Sequence, residues 1–178
     1  MDVNGSMPIE DQNECGLVQG ASIFFGPDFV EIHAESGGHT GMLDRESFSA
    51  CLPADVSIRD IVPLVQQALA ASHSWWPDKF VATGGWRGMS DRWAAWIVEL
   101  HRRVPAKKSK ATLFKGVRWL QVKRRHTRLT LIPKARVRHD AYGYIKAENG
   151  TLELVFDLDE PGFAWDEALA QAMDQCEG

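Results

Sequence analysis

Two histidine neighbourhoods, one glycine-rich loop and one cationic run are the places where this chain has the residue types for chemistry. His33 and His39 flank Glu35, and imidazole with carboxylate is a metal-ligand set when a third donor completes it. The spacing is loose and no third ligand of known type stands beside them, so loop or surface histidines and no metal are expected. Ser72-His73-Ser74 holds a hydroxyl beside an imidazole, the parts of an acyl-transfer nucleophile. Triads assemble in space rather than in sequence, and no GxSxG elbow is present. No catalytic residue is therefore assigned. Gly84-Gly85-Trp86-Arg87-Gly88 precedes a helix, as anion loops do, but it lacks a preceding strand and the GxGxxG or GxxxxGK[ST] spacing. It reads as a flexible loop between helices.

The cationic run is sharper. Lys123, Arg124, Arg125, Arg128, Lys134, Arg136 and Arg138, with Trp119 and Tyr142 nearby, have the make-up of a surface that tracks phosphates and stacks bases. The sequence pI of about 5.9 is low for that role. The alternative is a solvated basic sheet face beside an acidic strand and helix.

The elements that must position these residues follow from periodicity. Stretch 111–133 reads as one β-hairpin, with alternation through Val117, Trp119, Gln121 and Lys123 and again through Leu129 and Leu131. Arg124 to Arg128 would be its turn. Residues 18–25 and 29–34 read as strands around a Gly26-Pro27-Asp28 turn, 35–41 as a loop, and 41–43 as a weak third strand. Ser57 caps a helix whose apolar stripe is Ile61, Leu64, Val65, Ala68 and Leu69, with Asp60 in the capping-box position. Pro63 requires that this helix kink or start later. Ser90 would cap a second helix over 91–103 carrying Trp93, Trp96, Ile97 and Leu100 on one face. A short helical turn fits 109–113, and strands fit 142–147 and 151–158 about a Glu148-Asn149-Gly150 turn. Leu152, Leu154 and Phe156 alternate with Glu153, Val155 and Asp157. A last helix spans 163–176. Of the seven tryptophans, Trp93 and Trp96 belong to a core, whereas Trp75, Trp76 and Trp86 sit in loops, where they lid a core or anchor an interface. Strands and helices without strict βαβ alternation predict a single α+β domain over 17–178. Its sheet should be mostly antiparallel, of about five to seven strands, with three helices packed on it. Residues 1–16 are polar and predict a mobile arm.

Composition bounds the rest. With 178 residues, 44% hydrophobic and 25% charged, the chain is an ordinary globular protein. No apolar run reaches the roughly 18 residues of a membrane span, and the acidic N-terminus lacks a signal-peptide pattern. A cytoplasmic location is expected. Cys15, Cys51 and Cys176 are too few and too scattered for a disulfide framework or a zinc site. The net charge of −4 hides a division. Between Leu100 and Ala147 fifteen Lys or Arg face one acid, and from Glu148 onward nine acids face no Lys or Arg. Such asymmetry marks a charged partner, or two segments that neutralise each other.

Three segments together resemble a known family: LPADVS at 52–57 running into IRDIV and QQALAAS, KATLFK at 110–115, and WDEALAQAMDQC at 165–176. Their order and spacing are similar to the CdiI-type immunity proteins of contact-dependent growth inhibition systems. The resemblance implies a cytosolic inhibitor without cofactor or catalysis. It would bind the C-terminal toxin domain, commonly a nuclease, delivered by a neighbouring cell. A nuclease presents a cationic cleft, so an inhibitor can offer carboxylates in place of phosphates. The candidates are Glu153, Asp157, Asp159, Glu160, Asp166 and Glu167. The basic surface of Lys123, Arg124, Arg125, Arg128, Arg136 and Arg138 remains the alternative, either against an acidic toxin surface or against single-stranded nucleic acid.

Overall fold

The computed structural model describes residues 18–37, 42–73, 84–104, 109–138, 141–148 and 150–178. The expected N-terminal arm, His39, Trp75 and Trp76 lie outside these, as do the side chains of Trp86, Arg138 and Tyr142.

Strands β1 (Gln19–Phe25), β2 (Val30–Ser36) and β3 (Met42–Leu52) come first, followed by helices α1 (Ile58–Ala71), α2 (Gly85–Arg103) and α3 (Lys110–Leu113). Strands β4 (Arg118–Arg125), β5 (Arg128–Arg138), β6 (Ala141–Tyr144), β7 (Lys146–Ala147), β8 (Gly150–Thr151) and β9 (Leu154–Asp157) follow, and helix α4 (Trp165–Asp174) closes the order. The main sheet runs β3-β2-β1-β4-β5-β6, with β9 also paired to β5. All its pairings are antiparallel. The α+β class, the antiparallel sheet and the central hairpin are as the sequence predicts. The hairpin turn tightens to His126 and Thr127, since Arg125 pairs with Arg128. His126 takes the positive φ of 53° that so short a turn requires.

The sheet divides the apolar residues in two. On one face Ala21, Ile23, Ile32, Leu120, Val122, Leu129 and Leu131 meet α1 and α4 through Ile61, Val65, Leu69, Leu169 and Ala172. On the other, Phe24 meets α2 and α3 through Trp96, Ile97, Leu100 and Leu113. Trp96 is the core residue its stripe predicts, and Trp93 packs beside it half-buried.

Several boundaries differ from the sequence reading. β2 continues through Glu35 and Ser36 because both pair with β3, opposite Leu43 and Met42. The weak third strand is a full edge strand, with a four-residue excursion: His33 pairs with Ser49, and the next residue, Ala34, pairs with Asp44. That excursion interrupts the alternation, so the strand is not visible as a pattern. The glycine-rich loop is instead the start of α2, six residues earlier than Asp91. Gly84, at φ 86°, is the residue before the helix, where a Cβ would lie 3.2 Å from the Gly88 Cα. Stretch 151–158 breaks at Leu152 and Glu153 into β8 and β9, and the last helix is shorter than 163–176 at both ends.

α1 begins directly after Ser57, whose hydroxyl accepts from the Asp60 backbone N–H at 3.2 Å. Pro63 therefore lies inside the helix. Its ring is on the exposed side, where water can serve the carbonyl that loses its partner. Ser57→Ala is expected to lower stability by about 1 kcal/mol, read as a lower urea midpoint at unchanged slope.

Candidate functional site

The acidic candidates fall into three places. Glu153 and Asp157 are exposed on the side of β9 away from the core that Leu154 and Phe156 enter. Asp159 and Glu160 occupy the turn after β9, where the Asp159 N–H donates to Asp157 Oδ1 at 3.1 Å. Asp166 and Glu167 lie in the first turn of α4. Arg59 Nε of α1 reaches Asp166 Oδ2 at 3.0 Å, and this hydrogen bond holds the Asp166 carboxyl below the usual carboxylate range.

The basic candidates do not form one surface. Strand alternation puts Lys123, Arg125, Arg128 and Arg136 on the sheet face that α2 partly covers. Arg124 points to the opposite face and donates to the His126 carbonyl at 3.1 Å. Lys134 is only 3% exposed, so the solvated role read for it is corrected. Its Nζ lies 3.3 Å from the Tyr144 ring centroid and 5.4 Å from the Trp119 ring. Burial lowers its pKa to about 8, against the attraction of Glu35. Trp119 is not a free stacking platform either, because its ring stacks on Phe24 at 5.4 Å. The basic and acidic segments meet through register, with Arg128 directly opposite Asp157. The charge division of the sequence is thus partly folded upon itself.

Two polar clusters lie under this same face. Glu35 is buried beside Gly20, accepts from Ser22 Oγ, and accepts from Gln121 Nε2 at 2.6 Å. Burial raises its pKa despite these donors. Trp119 Nε1 donates to the same Ser22 hydroxyl at 2.9 Å. Further along β2, Glu31 and His33 are fully buried. Arg103 Nη1 binds Glu31 Oε1 at 2.6 Å, and Arg45, carried by the β3 excursion, binds Glu99 Oε2 at 2.6 Å. His33 Nε2 lies 3.3 Å from Glu31 Oε2, but neither atom is in hydrogen-bond geometry. Burial, reinforced by Arg45 and Arg103, lowers the His33 pKa to about 3, so the ring is neutral and the contact is not an ion pair.

His73 meets hydroxyl and carboxylate partners that sequence spacing did not indicate. Its Nε2 lies 3.3 Å from Ser47 Oγ and 3.4 Å from Asp44 Oδ2, while Nδ1 lies 2.8 Å from the Ala71 carbonyl. A triad needs the carboxylate and the nucleophile on opposite ring nitrogens. Here both crowd one nitrogen, and Ser47 gives its proton to Asp44 at 2.7 Å. Burial works against ionisation of Asp44, but donors from Ser36 and Ser47 hold its pKa below normal. The cluster ties the β3 excursion to the end of α1. Among the described residues no group of three His, Cys, Asp or Glu side chains is placed to hold a metal. No described helix is long and apolar enough to cross a membrane.

Sequence reasoning assigned no role to the exposed apolar side chains Val155 and Tyr144, 46% and 57% exposed. Val155 is legible as the apolar member on the polar side of β9. Tyr144 carries no such signal.

Comparison with known proteins places this arrangement. The chain is similar in structure to a protein of unknown function from Neisseria meningitidis, NMB0488, with TM-score 0.77 and 20% identity, covering 90% of this chain and 96% of that one. It is equally similar to a chain of a CdiA-CT/CdiI toxin and immunity complex from Yersinia pseudotuberculosis, with TM-score 0.77 and 20% identity over 90% and 98% of the two chains. At this identity the likeness is one of fold. No curated protein matches the chain significantly. The model of the CDI immunity protein family, CdiI, matches residues 19–176, from the first strand to just past the last helix. By that match the chain belongs to the CDI immunity protein family.

Proposed function

We propose that this chain neutralises the C-terminal toxin domain of a CdiA-type effector by stoichiometric binding in the cytoplasm, with no chemistry of its own. The family match over nearly the whole chain carries this reading. The Yersinia pseudotuberculosis relative, whose structure is described as a toxin and immunity complex, supports it. The toxin is expected to be a nuclease.

Co-expression with the toxin domain encoded immediately upstream tests the proposal. The expected outcome is a 1:1 complex that co-purifies, and full growth of cells that the toxin alone arrests. Loss of DNA or RNA integrity in the arrested cells reports the toxin's activity. No co-purification and no rescue would end the reading. The rival, single-stranded nucleic acid on the basic hairpin, is weakened by the geometry. Carboxylates interrupt the cationic track at Asp157, and the Trp119 ring is already stacked.

A further inference from the structure

We propose that the toxin docks on the open half of the sheet face formed by β4, β5 and β9, bringing an acidic patch of its own around an apolar centre. This deepens the toxin-binding reading and rests on it.

The face is half covered. Among the described residues α2 packs over Phe24 and Trp119. Gln121, Ile132 and Lys134 on the same face are buried too, so its accessible part is the hairpin end with Lys123, Arg125, Arg128, Thr130, Val155 and Asp157. The opposite face is closed by α1 and α4. Across the open half, register sets Lys123 beside Thr130, and Thr130 beside Val155. Arg125 and Arg128 stand opposite each other, with Asp157 next in line. Val155 is therefore an exposed apolar residue ringed by charge. Tyr144, farther along the face, is held against the Lys134 ammonium. Apolar anchors within a polar rim are what a protein interface uses and a phosphate track does not.

The sign of the partner follows from the charges. Lys123, Arg125, Arg128 and Arg136 outnumber Glu153 and Asp157, and Asp157 is already set against Arg128. The surplus is positive, so the complementary surface is acidic. β5 is paired on both edges, which fixes these side chains before contact and limits the ordering cost of binding. On this geometry the toxin is held through its acidic surface rather than by carboxylates of this chain filling a cationic cleft.

The test uses the full chain and the upstream-encoded toxin domain, with Kd and association rate measured at several salt concentrations. Arg125→Glu with Arg128→Glu is expected to weaken binding about a hundredfold and flatten the salt dependence of the association rate. Val155→Asp should weaken it about tenfold or more. Asp159→Lys with Glu160→Lys should stay within about threefold of wild type. Circular dichroism and urea midpoints confirm folding, and Arg128→Gln, expected to lose about tenfold, serves if the double variant unfolds. Unchanged affinity in both arginine variants, or loss confined to the Asp159 and Glu160 variant, would overturn the surface while leaving the toxin reading intact. No binding by the wild type would overturn the toxin reading itself. Retention of a single-stranded oligonucleotide that Arg125→Glu with Arg128→Glu abolishes, with toxin affinity unmoved, would assign the face to nucleic acid instead.

Discussion

Trp96→Ala is expected to remove about 4 kcal/mol of stability, the largest loss from any single side chain of the α2 core. The indole is fully buried. Its ring packs at 4.6 Å from Trp93, 4.9 Å from Phe24, 5.2 Å from His33 and 5.8 Å from Phe114. Truncation leaves a cavity that β1, β2 and α3 cannot all collapse into, because two are locked in the sheet. One effect runs the other way. Trp96 Nε1 finds no acceptor among the described residues, so its removal recovers about 1 kcal/mol of desolvation. That places the loss near the middle of the usual range rather than at its top. In a chain of this length it corresponds to a fall of about 10 °C in Tm. Trp96→Phe, which keeps most of the ring and drops the unbonded N–H, should lose less than half as much. Equal losses in the two variants, or less than about 1.5 kcal/mol for the alanine, would show that the second core is loosely packed.

Acid is expected to unfold the protein through His33. Its pKa is lowered from 6.5 to about 3, with burial as the main cause. The unfolded chain takes up a proton below about pH 6.5 while the folded chain refuses it. Stability is therefore complete above pH 6.5 and falls as the pH drops toward 3, by about 1.4 kcal/mol per pH unit from this site. Glu31, which faces it, has its pKa raised by burial and works in the opposite sense, gaining stability as it protonates. Arg45 and Arg103 stay charged throughout and keep repelling an imidazolium. Glu35, also buried with its pKa raised, works in the same sense as Glu31, so the two carboxyls offset part of the His33 slope. His33→Phe should remove the His33 share of the acid loss, with the ring filling the space between Phe24 and Trp96. In urea unfolding at pH 6 and 5 the variant should be less destabilised relative to pH 7 than the wild type. A slope unchanged in the variant would assign the acid sensitivity elsewhere.

The sequence carried the elements whose signals are local. Ser57 sits three residues before Asp60 and marks the start of α1 to the residue. The alternation from Val117 to Leu131 marks the β4-β5 hairpin. The stripe ending at Leu100 marks the buried face of α2, although not its first six residues. What was not legible depends on partners far away in the chain. Glu35 looks like the first residue of a polar loop, but it is in a strand because Gly20 and Leu43 flank it there. Lys134 looks like one more surface cation, and it is buried, with its ammonium set over the rings of Trp119 and Tyr144. The candidate site followed the same division. The sequence separated the basic from the acidic segment, while only the sheet register shows that Arg128 and Asp157 stand side by side on one surface.

The four-residue excursion in β3 has a bearing on how crowded the chain can become. Among the described residues β3 is an outermost strand of the main sheet, and the backbone groups of a straight edge strand are a template for another copy. Residues 45–48 divide it into stretches of three and four residues, too short and too bent for a second molecule to zip along. A second copy of this chain therefore meets, along the described part of β3, no straight edge on which to extend the sheet.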